Sequence, residues 1–418
     1  MRIGYACLAL AVPGTELKSC ILKNASPERL RALIHENLQA LERMVAYTIE
    51  NGIRMYRISS DIIPFASSPV NTVPWAEEFA SRLEAIGRQI REGGVRVSMH
   101  PGQYTVLNSP HEATVQSSVL ELAYHARFLD ALGVDAGSKI ILHVGGAYGD
   151  KPAAMERFAA QYAMLAPAIK RRLVLENDDR IYTIAEVLDL SARLGIPAVF
   201  DNLHHAANPS PDKRSDAEWI AACARTWREQ DGMPKIHYSQ ADPSKKLGAH
   251  SQSINVDAFA SFVDALPAPK PDIMLEVKDK NISALKCTLC MADKGPIGAL
   301  EREWGRYKYR VLEHSQRHYQ QIRALLKDKK AFPARAFYQL VEDALAQPIL
   351  PGSAANAAEH VWGYFKETAS PAQNNAFHAR LKQYLAGQAT LLQVKKPLQA
   401  LAKAQGQAYL LESYYFLP

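Results

Sequence analysis

The chain has 418 residues, of which 48% are hydrophobic and 22% are charged, and its formal net charge is +6. This composition is typical of a globular protein with a full apolar core, and it excludes a disordered or collagen-like chain. The length exceeds one ordinary domain, so we expect one large fold and a smaller one.

The chain begins with MRIGYACLALAVPG, in which a basic residue precedes an apolar run, as in a signal peptide. The run is too short and lacks an Ala-x-Ala cleavage site, so we interpret it as a first β-strand. No other stretch approaches the roughly 20 apolar residues that span a bilayer. We therefore expect a cytoplasmic protein with no membrane segment, and we expect it to be a monomer.

A long amphipathic helix is predicted after this strand, in SPERLRALIHENLQALERMVAYTIENG. Ser26 fits the N-cap and Pro27 the first helical position. Apolar residues then recur at helical spacing as far as Ile49, and Gly52 ends the pattern.

Short apolar runs alternate with amphipathic segments up to about residue 295, which predicts an α/β fold with a parallel sheet. Eight β/α units in under about 300 residues are typical of a TIM barrel, whose buried strands are continuously apolar. A doubly wound sheet is the alternative, but no G-x-G-x-x-G motif follows the first run. The eight predicted strands are residues 3–7, 55–59, 95–99, 139–142, 173–175, 198–200, 235–236 and 272–275.

After residue 295 the periodicity is helical throughout. We therefore predict a TIM barrel over residues 1–295 and a smaller all-α domain over residues 296–418. This tail carries 16 Lys or Arg residues against 9 Asp or Glu residues. A basic surface on it would attract a polyanion, whereas a solvated helical surface is the alternative.

The cysteines predict no disulfide framework, since there are five in a long chain without a secretory signal. Cys287 and Cys290 form a lone C-x-x-C, with no second pair nearby to complete a zinc tetrad. We interpret them as reduced thiols on a helix.

Six successive predicted strands end on a residue type that binds metals. In a TIM barrel the carboxyl ends of the strands meet on one face, so these side chains should surround one cavity. His204 and His250 are further candidates for this cavity. The six strand-end residues are His100, His143, Glu176, Asp201, His237 and Glu276.

So many charges and lone pairs are costly to bury without compensation, and bound cations remove that cost. Mixed imidazole and carboxylate ligands suit Mn²⁺, Zn²⁺ or Fe²⁺, and their number indicates more than one ion. Clustered metals of this kind typically activate water and stabilise the leaving oxygen in phosphate-ester hydrolysis.

Lys235 lies two residues before His237 on the same predicted strand, so both side chains should point the same way. A lysine that faces a metal cluster must be neutral, modified or bound to phosphate. A solvent-exposed lysine at the strand start is the alternative.

Eight segments, taken in order, resemble the UV damage endonucleases of the UvsE type over residues 1 to about 290. The resemblance implies a TIM barrel, related to endonuclease IV, that starts excision repair by nicking double-stranded DNA immediately 5′ to UV photoproducts. It also implies a cluster of two or three divalent metals, with manganese favoured. The segments are RISSDIIPFASS, VSMHPGQYTVLN, ILHVGGAYGDK, LVLEND, FDNLHH, KIHYSQ, HSQS and MLEVKDK.

The resemblance implies a role for individual residues. Lys235 would be carboxylated, and we expect it to be catalytic together with Glu176, Glu276 and His237. The implied metal ligands are His100, His143, Glu176, Asp201, His204, His237, His250 and Glu276.

The DNA-contacting residues are also implied by the resemblance. Gln103 and Tyr104 would form a wedge in the duplex at the lesion, as an aromatic ring and an amide on a rigid Pro-Gly turn are able to do. The flipped nucleotides would bind near Tyr5. The chain departs from the family pattern at Leu8-Ala9-Leu10, where an Asn is usual nearby, and at Ser68, where many members have His.

The tail segments YKYRVLEHSQRHY, HVWGYFK and YLLESYYFLP resemble the YbgA-like domain of unknown function, which implies no mechanism. Tyr307 and Tyr309 would either join a nucleic-acid surface or pack between helices. The basic residues of that surface would be Arg306, Lys308, Arg310 and Arg317.

Two alternatives to the endonuclease are open at this point. A sugar isomerase or epimerase would use two carboxylate-bridged metals on the same barrel, but it would need neither a wedge nor a basic tail. A non-catalytic protein that binds damaged DNA would not require so many metal ligands.

Overall fold

The computed structural model describes residues 1–417, which fold into two compact units. Unit 1 contains Met1–Leu10, Gly14–Ile254 and Ala258–Thr288. Unit 2 contains Ala11–Pro13, Asn255–Asp257 and the described residues from Leu289 onward. The domain boundary expected at residue 295 stays a prediction.

Unit 1 is built on eight parallel strands in the hydrogen-bonded order β6-β5-β4-β3-β2-β1-β8-β7. The two edges meet where Asp201 and His237 form a parallel bridge, with the His237 N–H donating to the Phe200 carbonyl at 2.9 Å. The sheet is therefore a nearly closed barrel, which confirms the TIM-barrel prediction. The strands are β1 Ile3–Ala6, β2 Met55–Ile58, β3 Arg96–Met99, β4 Lys139–His143, β5 Leu173–Glu176, β6 Ala198–Val199, β7 Lys235–Tyr238 and β8 Asp272–Leu275.

Helices cover the outside of this barrel. The longest begins as predicted: the Ser26 side chain accepts a hydrogen bond from the Arg29 N–H at 3.2 Å, and Pro27 is the first helical residue. The helices are α1 Pro27–Glu50, α2 Trp75–Glu78, α3 Ala80–Glu92, α4 Glu112–Ala131, α5 Lys151–Met164, α6 Pro167–Lys170, α7 Ile184–Leu194, α8 Asn202–Ala207, α9 Asp216–Ala224, α10 Val256–Asp264 and α11 Asn281–Cys290.

Strand residues alternate between the inside of the barrel and the helical layer, as the pleat requires. Ala6, Met55 and Met274 pack together on one face of the three neighbouring strands β1, β2 and β8. The outward-facing Tyr5 hydroxyl instead lies 2.9 Å from the Thr48 hydroxyl on α1. This alternation decides which side chains reach the carboxyl-end cavity.

Unit 2 is helical, as predicted. Its core includes Trp362 stacked on Phe377, with ring centroids 4.6 Å apart. Tyr307 and Tyr309 are buried in this unit, so helix packing explains both tyrosines and neither lies on an exposed nucleic-acid surface. The helices are α12 Ile297–His314, α13 Gln316–Leu325, α14 Ala334–Leu345, α15 Pro351–Trp362, α16 Pro371–Leu385, α17 Leu391–Ala404 and α18 Ala408–Leu411.

The expectations about membrane segments and cysteines can be compared with residues 1–417, which the structure describes. No helix in this range is long and apolar enough to cross a membrane. The five cysteines form no disulfide there, and no group of three possible metal ligands includes Cys287 or Cys290.

Candidate metal centre

Glu176, the last residue of β5, lies at the centre of the strand-end cluster and is fully buried. One carboxylate oxygen, Oε2, lies 3.0 Å from His100 Nε2 and 3.5 Å from His143 Nε2. The other, Oε1, lies 2.6 Å from His237 Nδ1. A single carboxylate thus contacts imidazoles from the ends of β3 and β4 and from within β7.

Asp201 and His204 approach Glu176 from the turn between β6 and α8. Asp201 is the N-cap of α8, because its Oδ1 accepts a hydrogen bond from the His204 N–H at 2.8 Å. This cap brings His204 Nδ1 to 3.8 Å from Glu176 Oε1 and 3.9 Å from Asp201 Oδ1. The i, i+3 spacing seen in the sequence therefore places both side chains in the cluster.

Glu276 follows β8 directly, and its Oε1 lies 3.1 Å from His237 Nδ1. The same oxygen accepts a hydrogen bond from the Arg57 guanidinium of β2. Burial alone would lower the pKa of Arg57, but the negative charges of Glu276 and Glu176 and the hydrogen bond to Glu276 raise it above its usual value. Arg57 therefore remains a cation inside the cluster.

Arg57 was not predicted as a site residue because it lies within a strand, whereas the pattern of metal-binding residue types was confined to strand ends. A signal was present, since an arginine in the apolar run MYRI is unusual for a strand buried on both sides. Arg57 is two residues after Met55 and so lies on the same face of β2.

Three groups of residues could each hold a metal ion, and all three contain Glu176. Within each group, the possible ligand atoms lie within 4.8 Å of one another. Together they contain seven of the eight expected ligands. The groups are His100, His143 and Glu176; Glu176, Asp201 and His204; and Glu176, His237 and Glu276.

His250 is the expected ligand that the structure does not bring into these groups. Its Nδ1 contacts the main-chain carbonyl oxygen of Glu276, and its backbone pairs with Ala241. This contact orients the ring beside the cluster, so the role of His250 as a ligand stays a prediction.

The donor set fits divalent cations. Buried atoms at the cluster that lack a hydrogen-bond partner among residues 1–417 include Asp201 Oδ2, His143 Nδ1, His237 Nε2 and Lys235 Nζ. Buried polar atoms without partners are rare in native proteins, and ligation would satisfy several of these. Imidazole nitrogens mixed with carboxylate oxygens suit Mn²⁺ or Zn²⁺.

The charges of the cluster shift the pKa values of its members. Burial raises the pKa of the Glu176 carboxyl, but the charges of His237 and His143 outweigh burial and hold it well below its usual value. Burial lowers the pKa of His204, but Asp201, Glu176 and Glu276 raise it to about 9. A cation that binds His204 near neutral pH must therefore displace a proton.

Lys235 begins β7 and is buried, which excludes the solvent-exposed alternative. Burial lowers its pKa well below the usual value, and the positive charges of Arg96 and Arg57 lower it further. The comparison with Lys139 is informative, because that lysine also begins a strand but lies 2.6 Å from Asp231 Oδ1. Lys235 has no such acidic partner among the described residues.

An open cleft of about 580 Å³ leads from the cluster to the surface. His100, His143 and His204 line it, together with the turn that carries Gln103 and Tyr104. Both turn residues are exposed, and the Tyr104 side chain is 68% accessible.

Gly102 makes this arrangement possible, since a Cβ at that position would lie 2.3 Å from the Tyr104 ring. Two further residues of the cleft, Tyr148 and Arg180, were not predicted. Tyr148 follows β4 in a Gly-rich loop, much as Tyr104 follows β3, and this repeated placement of a tyrosine was a usable signal.

Tyr5, the expected lesion contact, lies outside the cluster and the cleft. Its side chain points from β1 toward α1, is completely buried and packs on Tyr56, with ring centroids 5.0 Å apart. Tyr5 is not among the residues that line the cleft, so its role as a lesion contact stays a prediction. The all-apolar run IGYA carries no alternation that would show which of its side chains point inward.

Known proteins match both parts of the chain. Residues 1–297 match the family "UV-endonuclease UvdE", and residues 308–418 match "Protein of unknown function (DUF1722)". A UV DNA damage endonuclease of Clostridium perfringens (strain 13 / Type A) is 39% identical over 352 residues, which are 83% of this chain and 84% of the relative. That alignment is longer than the barrel match and therefore extends beyond it.

A second relative is a UV DNA damage endonuclease of Bacillus cereus (strain Q1). It is 34% identical over 296 residues, which are 68% of this chain and 93% of the relative. The crystal structure of SacUVDE is 39% identical, with a TM-score of 0.65, and the match covers 69% of this chain and 96% of that one.

We predict that replacing Glu176 by Gln, which preserves size but removes the shared charge, weakens binding of Mn²⁺ by roughly 100-fold or more. All three ligand groups include this carboxylate, so they should fail together. Elemental analysis after equilibrium dialysis measures the bound metal. Glu92→Gln, at an exposed carboxylate, is the matched control. Equal metal content in the two variants would contradict the central place of Glu176.

Proposed function

The chain belongs to the UV-endonuclease UvdE family and is a UV-damage endonuclease, and we propose that it cuts double-stranded DNA immediately 5′ to a photoproduct. The cut would leave a 3′-hydroxyl and a 5′-phosphate. One observation carries this proposal: the cleft that contains the metal-ligand cluster also carries an exposed aromatic and amide pair on a tight turn. Neither a sugar isomerase nor a binding protein would need both features.

We propose that two or three divalent cations, with manganese favoured, bind at the three groups that share Glu176. When bound, such cations supply Lewis-acid activation of water and charge stabilisation at the leaving oxygen. Glu176, Glu276 and His237 are proposed as catalytic residues because they form one of the three groups, in which His237 contacts both carboxylates, and because Glu176 also belongs to the other two groups.

Arg57 is proposed as a positioning residue for Glu276. Its guanidinium binds the carboxylate that also contacts His237, so it fixes one wall of the cluster. Because it stays protonated, it also adds a positive charge near the place where a phosphodiester would enter.

We propose that the Lys235 amine is carboxylated. In this reaction the nitrogen of the neutral amine attacks the carbon of CO₂, so that a C–N bond forms and one C=O π bond breaks to leave a negative oxygen. The nitrogen, which is positively charged after the attack, then loses one proton to water, which leaves a carbamate anion. The low pKa of Lys235 supports the neutral amine that this step needs. The positive charges of Arg57 and Arg96 lie near enough to lower the pKa of Lys235, and they would stabilise the carbamate anion that forms.

Labelling with ¹³C-bicarbonate tests this modification. We predict one carbamate resonance in the NMR spectrum of the metal-free protein, absent in Lys235→Ala and retained in Lys278→Ala, at an exposed lysine. Nicking activity should fall in the first variant only. A spectrum without a carbamate signal, or a signal that survives Lys235→Ala, would contradict carboxylation at this residue.

Gln103 and Tyr104 are proposed to enter the duplex at the lesion. Their exposure and the closely packed Gly102 turn support a preformed wedge that replaces the stacking and pairing lost when bases leave the helix.

For this wedge, we expect the double substitution Gln103→Ala/Tyr104→Ala to lower nicking of UV-irradiated DNA at least tenfold, since stacking on an aromatic residue contributes about 1–3 kcal/mol per base. The bound metal should be unchanged. Gln116→Ala/Leu120→Ala, at an exposed pair on α4, is the control. A loss of metal in the wedge variant would show that the turn acts through the metal centre.

The proposed activity is tested with supercoiled plasmid, with and without UV irradiation, incubated with the protein and Mn²⁺. We predict that only the irradiated plasmid is converted rapidly to the nicked form, and that chelator stops the conversion. Equal nicking of both plasmids would contradict the specificity for damaged DNA. If both plasmids stayed intact, the endonuclease activity itself would be contradicted.

A further inference from the structure

A cavity of about 440 Å³ lies between α15, α16 and α17 of unit 2. Trp362 and Phe377 line it, together with Val394 and Leu398. This volume lies within the range of roughly 300–1,000 Å³ that is typical of ligand pockets. The cavity is thus large enough for a planar ring system, and its lining is predominantly apolar.

The cavity is open because the residues near its mouth are small. Ala376, Ala400 and Ala404 are exposed and line it, and Pro397 lies beside them. Larger side chains at these positions would fill the space between α16 and α17. This gives a direct way to close the cavity without changing any charge.

The sequence around the cavity is basic. Residues 368–411 contain five Lys or Arg residues and no Asp or Glu. One of the five, Lys395, lies 2.6 Å from Glu313, so its charge is neutralised within the unit. The other four are exposed and form no ion pair among residues 1–417; they are Arg380, Lys382, Lys396 and Lys403.

One of these four cations, Arg380, lines the cavity. Lys396 and Lys403 lie four residues before and three residues after the lining residue Ala400 on α17, so helical spacing puts both on the same side of the helix as Ala400. An apolar cavity edged by cations matches a ligand with an apolar planar part and several negative charges.

We propose that this face of unit 2 binds single-stranded nucleic acid, with one base in the cavity and neighbouring phosphates at Arg380, Lys396 and Lys403. Base faces interact with apolar and aromatic side chains without regard to sequence, while basic side chains follow the backbone. An intact duplex keeps its bases stacked, so it offers nothing to the cavity. The choice of DNA as the partner rests on the proposed function.

The test uses the full chain in chelator and compares oligo(dT) with an oligonucleotide of equal length that carries abasic sites. The unchanged protein should bind oligo(dT) about tenfold more tightly. Ala400→Phe should remove this preference and keep the salt dependence, because it fills the cavity. Arg380→Ala/Lys396→Ala/Lys403→Ala should keep the preference and flatten the salt slope by roughly 0.7 per lost phosphate contact.

Two controls make the outcome decisive. Arg302→Ala/Lys327→Ala/Lys330→Ala removes three other exposed charges of unit 2, and its affinity for oligo(dT) should exceed that of the cavity triple variant. Nicking of irradiated plasmid at saturating DNA measures the activity of the barrel separately. A failure of the proposed endonuclease function can therefore be distinguished from a failure of single-strand binding by unit 2. If Ala400→Phe does not fold, Ala404→Phe replaces it.

An equal affinity of the unchanged protein for both oligonucleotides would overturn the proposal. So would a preference for bases that survives in a folded cavity-filling variant. A triple variant that weakens only the binding of undamaged duplex would show that these cations contact duplex backbone, and this result would also overturn it.

Discussion

A buried carboxylate in contact with three imidazoles is the constraint on which the rest of the barrel depends. Glu176 is held in register beside His143 across β4 and β5, while His237 reaches it from β7. The barrel edges join at Asp201 and His237, both members of the cluster. Closure of the fold and assembly of the site therefore occur at the same place, and the divalent cations proposed for the cluster would supply the charge that stabilises both.

The barrel and most of its site could be predicted because the signal lay at strand ends, where topology alone determines position. Asp201 and His204 needed only the helix cap that their spacing implies. Tyr5 and Arg57 could not be predicted in the same way, because both lie within strands. Within a strand, a shift of one residue decides whether a side chain points into the cavity or toward the helical layer. An all-apolar strand has no alternation of polar and apolar residues that would show which of the two occurs.

The presence or absence of an ion-pair partner separates the lysines that stabilise the fold from those to which the proposals give a function. Lys139 and Lys235 both begin strands, but Lys139 is paired with Asp231 and so contributes to the fold. In unit 2 the same distinction applies at the surface, where Lys395 is paired with Glu313 and the neighbouring Lys396 is exposed. Tyr307 and Tyr309 had two interpretations in the sequence, because aromatic residues in helices form cores as well as binding surfaces, and only their burial in the structure decides between the two.

Anomalous diffraction at the manganese edge, from crystals grown with Mn²⁺, tests the central claim most directly. We expect two or three peaks, each within ligand distance of a group that contains Glu176, and a direct contact between this carboxylate and more than one ion. A single peak that does not contact Glu176, or no peak among the six strand ends, would contradict it.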